Sequence, residues 1–97
     1  MKYLEIQPAA NADLIGAWLE VAQDRATDAA DSYIDKIHDL CQLIASQPEM
    51  GVARDDVAKD VRAFPVDSYI IDYEVTASSL RILRVWHASQ DPSNLST

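Results

Sequence analysis

The spacing of apolar residues changes twice along the chain. Tyr3-Leu4-Glu5-Ile6-Gln7 reads as a short strand, stopped at Pro8, which fixes its own φ and lacks a ladder donor. Leu14, Ile15, Trp18, Leu19 and Ala22 then recur at helical spacing. They predict a first helix opening on an Asn11 N-cap and running to about Ala22. Asp13 would sit in its first turn, where the dipole favours an acid. Gly16 either weakens this helix by up to ~1 kcal/mol relative to alanine or admits a close neighbour. The second helix is patterned more strongly. Ala30, Tyr33, Ile34, Ile37, Leu40, Cys41 and Ile44 form one stripe, and Asp24, Asp28, Asp31, Asp35 and Asp39 form the opposite one. It is expected over residues 25–46, ending before Pro48 and closing an antiparallel hairpin with the first.

From Val61 the period becomes that of strands. Segments 61–66, 69–76 and 80–87 are rich in β-branched and aromatic residues, separated by Asp67-Ser68 and Ala77-Ser78-Ser79. They predict a three-stranded meander, with Pro65 placing its first strand at an edge. The fold class is therefore α+β in the order β-α-α-β-β-β, a helix hairpin on one face of a mainly antiparallel sheet. One domain is expected over residues 1–91, followed by a polar tail at 92–97.

Composition narrows the function classes. The 97 residues suit a single domain, and the one cysteine excludes an internal disulfide framework or a cysteine-only metal cluster. No apolar run has the length of a membrane span and no signal-peptide core is visible, so a cytoplasmic protein without a membrane partner is expected. Sixteen acidic against eight basic residues give a net charge of −8, which argues against direct nucleic-acid binding. The charge divides unevenly, −6 over residues 1–50 and −2 over residues 51–97.

Several segments occur in a telling order. The pattern AAxxYIxxIxxxCxxI is followed by the turn Pro48-Glu49-Met50-Gly51-Val52-Ala53-Arg54. Then come Val61-Arg62-Ala63-Phe64-Pro65-Val66, Tyr69-Ile70-Ile71-Asp72-Tyr73-Glu74-Val75 and Ile82-Leu83-Arg84-Val85-Trp86-His87. In this order the chain resembles the RelE/ParE superfamily of toxin-antitoxin toxins, nearer the ParE branch. The resemblance implies a small toxin neutralised by a cognate antitoxin, itself a small protein of ribbon-helix-helix type. ParE-like members poison DNA gyrase, and RelE-like members cut mRNA in the ribosome. The family's closing motif usually runs His-Gly-Arg-Arg-Asp; here His87-Ala88-Ser89-Gln90-Asp91 lacks the glycine and both arginines.

Arg54, Arg62 and Arg84 match family positions in the turn after the second helix, the edge strand and the last strand. Each can hold a partner's carboxylate in a planar fork, or pair internally with Asp55, Asp56, Asp60 or Asp72. Simple alternation places Leu80, Ile82, Arg84 and Trp86 on one face of the last strand. Tyr69 and Trp86, near sheet ends, are candidate groove anchors. His87 reads either as a general base or as a strand-end histidine bonded to backbone. A nuclease also needs cations around the scissile phosphate, and the only lysines are Lys2, Lys36 and Lys59.

The remaining features read more simply. His38 is expected on the surface and Cys41 in the core, with Tyr33, Trp18, Phe64 and Tyr73 core or near-core by phase. Asp55, Asp56 and Asp60 read as a solvated cluster rather than a metal site, and no cofactor is expected. The aspartate stripe is either a solubilising face or a dock for a basic partner. The three functional readings are a ParE-like toxin acting by binding, a ribosome-dependent endoribonuclease, and a non-toxic interaction module. In the first, the apolar face of the first helix and the strand from Val61 receive the antitoxin.

Overall fold

A computed structural model describes residues 2–90. The expected tail at 92–97, together with Asp91, lies outside the described residues. The order is β1 (Tyr3–Ile6), α1 (Pro8–Asp24), α2 (Thr27–Ser46), a 3-10 turn at Pro48–Met50, β2 (Val52–Ala53), β3 (Val61–Val66), β4 (Tyr69–Val75), β5 (Ser79–His87) and a closing 3-10 turn at Ala88–Gln90. The five strands form one sheet in the order β1-β5-β4-β3-β2. Only β1 against β5 is parallel, because the helix hairpin carries the chain across the sheet between its first strand and the meander.

The helices cover one face. Ile37, Cys41 and Ile44 of α2 and Leu14 and Ala17 of α1 pack with Ile71, Tyr73, Leu80, Ile82 and Val85 into the core. Cys41 is buried as expected, and burial pushes its thiol up to about 11, so it stays neutral. Tyr73 is fully buried, Tyr33 and Phe64 pack partly buried against the core, Trp18 is half-buried, and His38 is exposed.

Four expectations are corrected. First, α1 starts at Pro8, the favoured N1 residue, with Gln7 rather than Asn11 at the N-cap. Asp13 is therefore beyond the first turn. Second, the buried stripe of α1 is Ala10, Leu14 and Ala17, whereas Ile15 and Leu19 are 60% and 51% exposed. The helix turns its small residues toward α2 and the sheet, where close packing needs little volume. Third, β3 is not a bare edge: Val52 and Ala53 pair with Ala63 and Arg62. Pro65 lies beyond this two-residue strand, so its missing N–H falls where no neighbour asks for it.

The fourth correction concerns β5. Asp72 pairs with Arg84 but Tyr73 pairs with Ile82, so Leu83 is an extra residue at a β-bulge. Alternation slips by one there. Leu80, Ile82 and Val85 become the core residues, and Arg84 and Trp86 leave the face that strict alternation assigned to them.

Candidate functional site

The bulge and the end of β1 together create the position of Arg84. β1 stops pairing at Ile6, opposite Ile82, and the chain turns into α1 beside the exposed edge of β5. Asp13 of α1 fills that gap. Its Oδ2 accepts the Val85 N–H at 2.9 Å, and its two oxygens accept Arg84 Nε at 2.7 Å and Nη2 at 2.9 Å. Burial raises the Asp13 carboxyl, but the Arg84 and Val85 hydrogen bonds and the guanidinium charge outweigh it and hold it below its usual value. The same guanidinium lies 3.9 Å from the centroid of the Trp86 ring. Trp86 Nε1–H donates to Asp72 Oδ2 at 2.6 Å, and Asp72 is 8% exposed. Asp13, Arg84, Trp86 and Asp72 thus form one chain of contacts from α1 across β5 to β4.

A second constellation occupies the end of the sheet. Tyr69 opens β4 directly opposite His87, which ends β5. Their rings meet edge-on at 5.3 Å, and Tyr33 of α2 tilts against Tyr69 at 5.9 Å. The Tyr69 hydroxyl donates to Glu20 Oε2 of α1 at 2.7 Å; burial and this carboxylate together drive its phenol far above the usual range. The Tyr33 hydroxyl donates to the Val66 carbonyl at 3.1 Å and is pushed up to about 12 by burial and by Asp67. His87 Nδ1 shares a 2.7 Å hydrogen bond with the Ser89 hydroxyl. An open cleft of about 900 Å³ lies here, lined by Glu20, Asp24, Asp67, Tyr33, Tyr69 and His87. Arg25 lines it as well, so the cleft offers neutral phenols, carboxylates and one guanidinium, a set suited to hydrogen-bonding groups.

Arg54 and Arg62 stand at the far side of the sheet. Arg54 Nε donates to Asp56 at 3.2 Å, one of the carboxylates expected from sequence. Arg62 Nη1 donates to the Gly51 carbonyl at 2.7 Å. The Gly51 N–H donates to the Tyr73 hydroxyl at 2.8 Å, which in turn donates to the Pro48 carbonyl at 2.7 Å. This latch fastens the turn after α2 to the sheet. The structure therefore divides the six candidates: Tyr69 and His87 line the cleft, Arg84 and Trp86 stack on β5, Arg62 braces the Gly51 turn, and Arg54 pairs with Asp56 in the loop that follows it. Tyr69 is only 7% exposed and belongs to the core as well as to the cleft.

Sequence reasoning missed Glu20, as well as Asp13 in its actual role, because their partners are 49 and 71 residues away. It also assigned Asp31 only to a charged stripe, whereas Asp31 accepts the Trp18 indole N–H at 2.8 Å. Asp55, Asp56 and Asp60 are all exposed in the loop before β3.

Comparison with known proteins adds independent support. Residues 4–92 match the family model described as the ParE toxin of the type II toxin-antitoxin system parDE. Among curated relatives, Toxin ParE1 of Mycobacterium tuberculosis, from strains CDC 1551 / Oshkosh and ATCC 25618 / H37Rv, is 29% identical over 92 residues. That alignment covers 93% of this chain and 92% of the relative. A solved structure titled as the chromosomal ParDE TA system from P. aeruginosa superposes with a TM-score of 0.77 at 18% identity. It covers 90% of this chain and 96% of the other, so the likeness of fold is nearly complete. With the family model spanning almost the whole domain and the hairpin-on-sheet fold matching, the chain belongs to the ParE toxin family of type II toxin-antitoxin systems, whose toxins are paired with an antitoxin.

Proposed function

We propose that this toxin acts in the cytoplasm by binding DNA gyrase rather than by cutting RNA, and that a small antitoxin of ribbon-helix-helix type neutralises it. Its recognition surface is the sheet half of the molecule, carried by Arg54, Arg62, Tyr69, Arg84, Trp86 and His87. One observation carries this reading: the arginines of residues 51–90 all donate to acceptors of the same chain. Arg54 meets Asp56, Arg62 meets the Gly51 carbonyl, Arg81 meets Glu5 and Glu74, and Arg84 is clasped by Asp13. A nuclease needs cations committed to the scissile phosphate, whereas a binding surface needs them held in a fixed shape. The experiment is a supercoiling assay with purified gyrase. Inhibition by the toxin, relieved by antitoxin, is expected; no inhibition at high molar excess removes gyrase as the target. Cleavage of mRNA in stalled ribosomes, lost in Arg84→Ala or His87→Ala, would instead support the nuclease reading.

A second reading has a specific observation behind it. Ala88-Ser89-Gln90 replaces the family's usual Gly-Arg-Arg, and the exposed Ser89 hydroxyl is bonded to His87. A chain kept as an interaction module would carry that change without penalty. Unrepressed expression in a bacterial host decides: growth arrest supports the toxin, and normal growth supports the module.

A further inference from the structure

The face of the sheet turned away from the helices is ordered in cross-strand rows. Ile71 and Tyr73 point into the core, so alternation puts Ile70 and Asp72 of β4 on the opposite face. Strand pairing then sets Pro65, Ile70 and Trp86 side by side across β3, β4 and β5, with Ala63, Asp72 and Arg84 in the next row. The first row is apolar. Ile70 and Trp86 are half-buried and Pro65 is exposed, and none of the three belongs to the core beneath the helices.

The second row holds the first in place. Arg84 commits Nε and Nη2 to Asp13, at 2.7 and 2.9 Å, and lays its guanidinium 3.9 Å from the centroid of the Trp86 ring. Asp72 accepts the Trp86 indole N–H at 2.6 Å. The ring is thus fixed at one face and at its polar edge, so the rotamer freedom that a tryptophan loses on docking is already lost in the free chain. The charges cancel locally as well. Asp13 and Asp72 set two negative charges against the one positive charge of Arg84, so this stack offers no net cation to a partner's carboxylate.

Resting on the gyrase reading above, we propose that Trp86, at the end of the row Pro65, Ile70, Trp86, is the anchor that enters an apolar pocket of the target. Asp13 and Arg84 are positioning residues that act through it. Tryptophan is among the side chains most enriched at the few positions that dominate an interface, and the apolar row beside it supplies contacts that exclude water. A direct grip by Arg84 on a partner's carboxylate would need its fork, and Asp13 already fills two of its donors with a carboxylate of the same chain. α1 thereby shapes the target face from beyond the edge of β5.

The test begins without a partner. Trp18→Phe leaves Trp86 as the only tryptophan of the chain. In that background Asp13→Asn and Arg84→Lys should each raise acrylamide quenching of Trp86 by about twofold and shift its emission to the red. Ile37→Val, which trims the core on the other side of the sheet, should leave both unchanged. The second stage reads inhibition of gyrase supercoiling by the whole chain. Trp86→Leu should weaken it by about thirtyfold and Asp13→Asn by about tenfold, but the double variant by no more than about twofold beyond Trp86→Leu alone. Ile37→Val should inhibit as the wild type does. Circular dichroism checks folding, and Trp86→Phe takes the place of Trp86→Leu if the latter unfolds. An unmoved indole in Asp13→Asn, losses that add in the double variant, or full inhibition without Trp86 overturns the proposal and leaves the gyrase reading intact. A wild-type chain that arrests growth without inhibiting gyrase removes the gyrase reading alone. The same cycle, read as the expression level needed for arrest, then decides the role of Trp86. A wild type that does neither removes both.

Discussion

Single residues decide how the sheet is closed. Asp13 is the clearest case, because one carboxylate satisfies an edge N–H and a guanidinium fork. Asp13→Ala should cost roughly 1.5–3 kcal/mol of unfolding free energy, since the Arg84 and Val85 donors lose a charged acceptor. The pH dependence follows from the sign of the shift. Because the folded carboxyl sits below its unfolded value, its contribution is complete above about pH 4 and is lost as pH falls through the folded pKa. Urea melts across acid pH should show a steeper loss for the wild type than for Asp13→Asn, which is weaker at neutral pH and lacks that titration. Gly51 offers a second test. A Cβ there would strike the Tyr73 hydroxyl and lie 2.9 Å from the Ala63 carbonyl, and backbone cannot step aside cheaply. Gly51→Ala should therefore lower stability by roughly 1–3 kcal/mol and loosen the turn held by Arg62.

At the scale of elements, the two helices do different work. α2 is held by its own pattern, with Ala30, Ile37, Cys41 and Ile44 buried in one line. α1 buries mostly alanine and leaves larger side chains outside, so its internal packing contributes less. Gly16→Ala should raise the melting stability by up to about 1 kcal/mol, since the added methyl meets no neighbour and glycine is the poorer helix former. Asp35→Asn should be neutral or slightly stabilising, by roughly 0.2–0.5 kcal/mol, as it relieves like charges at four-residue steps along α2. α2 and the meander were legible in the chain because their burial follows a single period. β2 was not: two residues in a turn carry no period, and only the neighbouring Arg62 and Ala63 make them a strand.

At the scale of the molecule, charge and shape separate. The net of −8 is concentrated in the helical layer, while five of the eight basic residues lie beyond residue 50, four of them bonded arginines. Association with a basic partner should therefore be steered by the helical layer. Its on-rate is expected to fall by about tenfold between low and high salt, measured by stopped flow. The cleft itself was half legible. His87 and Tyr69 stood out as ends of strands, but Glu20 and Tyr33 join them only because the hairpin returns over the sheet.

The chain alone determined its class, its hairpin, its meander and its family, because periodicity, turn chemistry and the order of segments are properties of neighbours in sequence. It also determined where the charge lies. Only the tertiary structure decided which arginines are clasped and by what, since Asp13 and Arg84 meet through sheet closure. It alone decided that Ile15 and Leu19 face outward, because α1 is turned by what it packs against. The bulge at Leu83 has the same origin: one inserted residue reverses every face after it, and the fit of β5 to β4 is what selects the insertion.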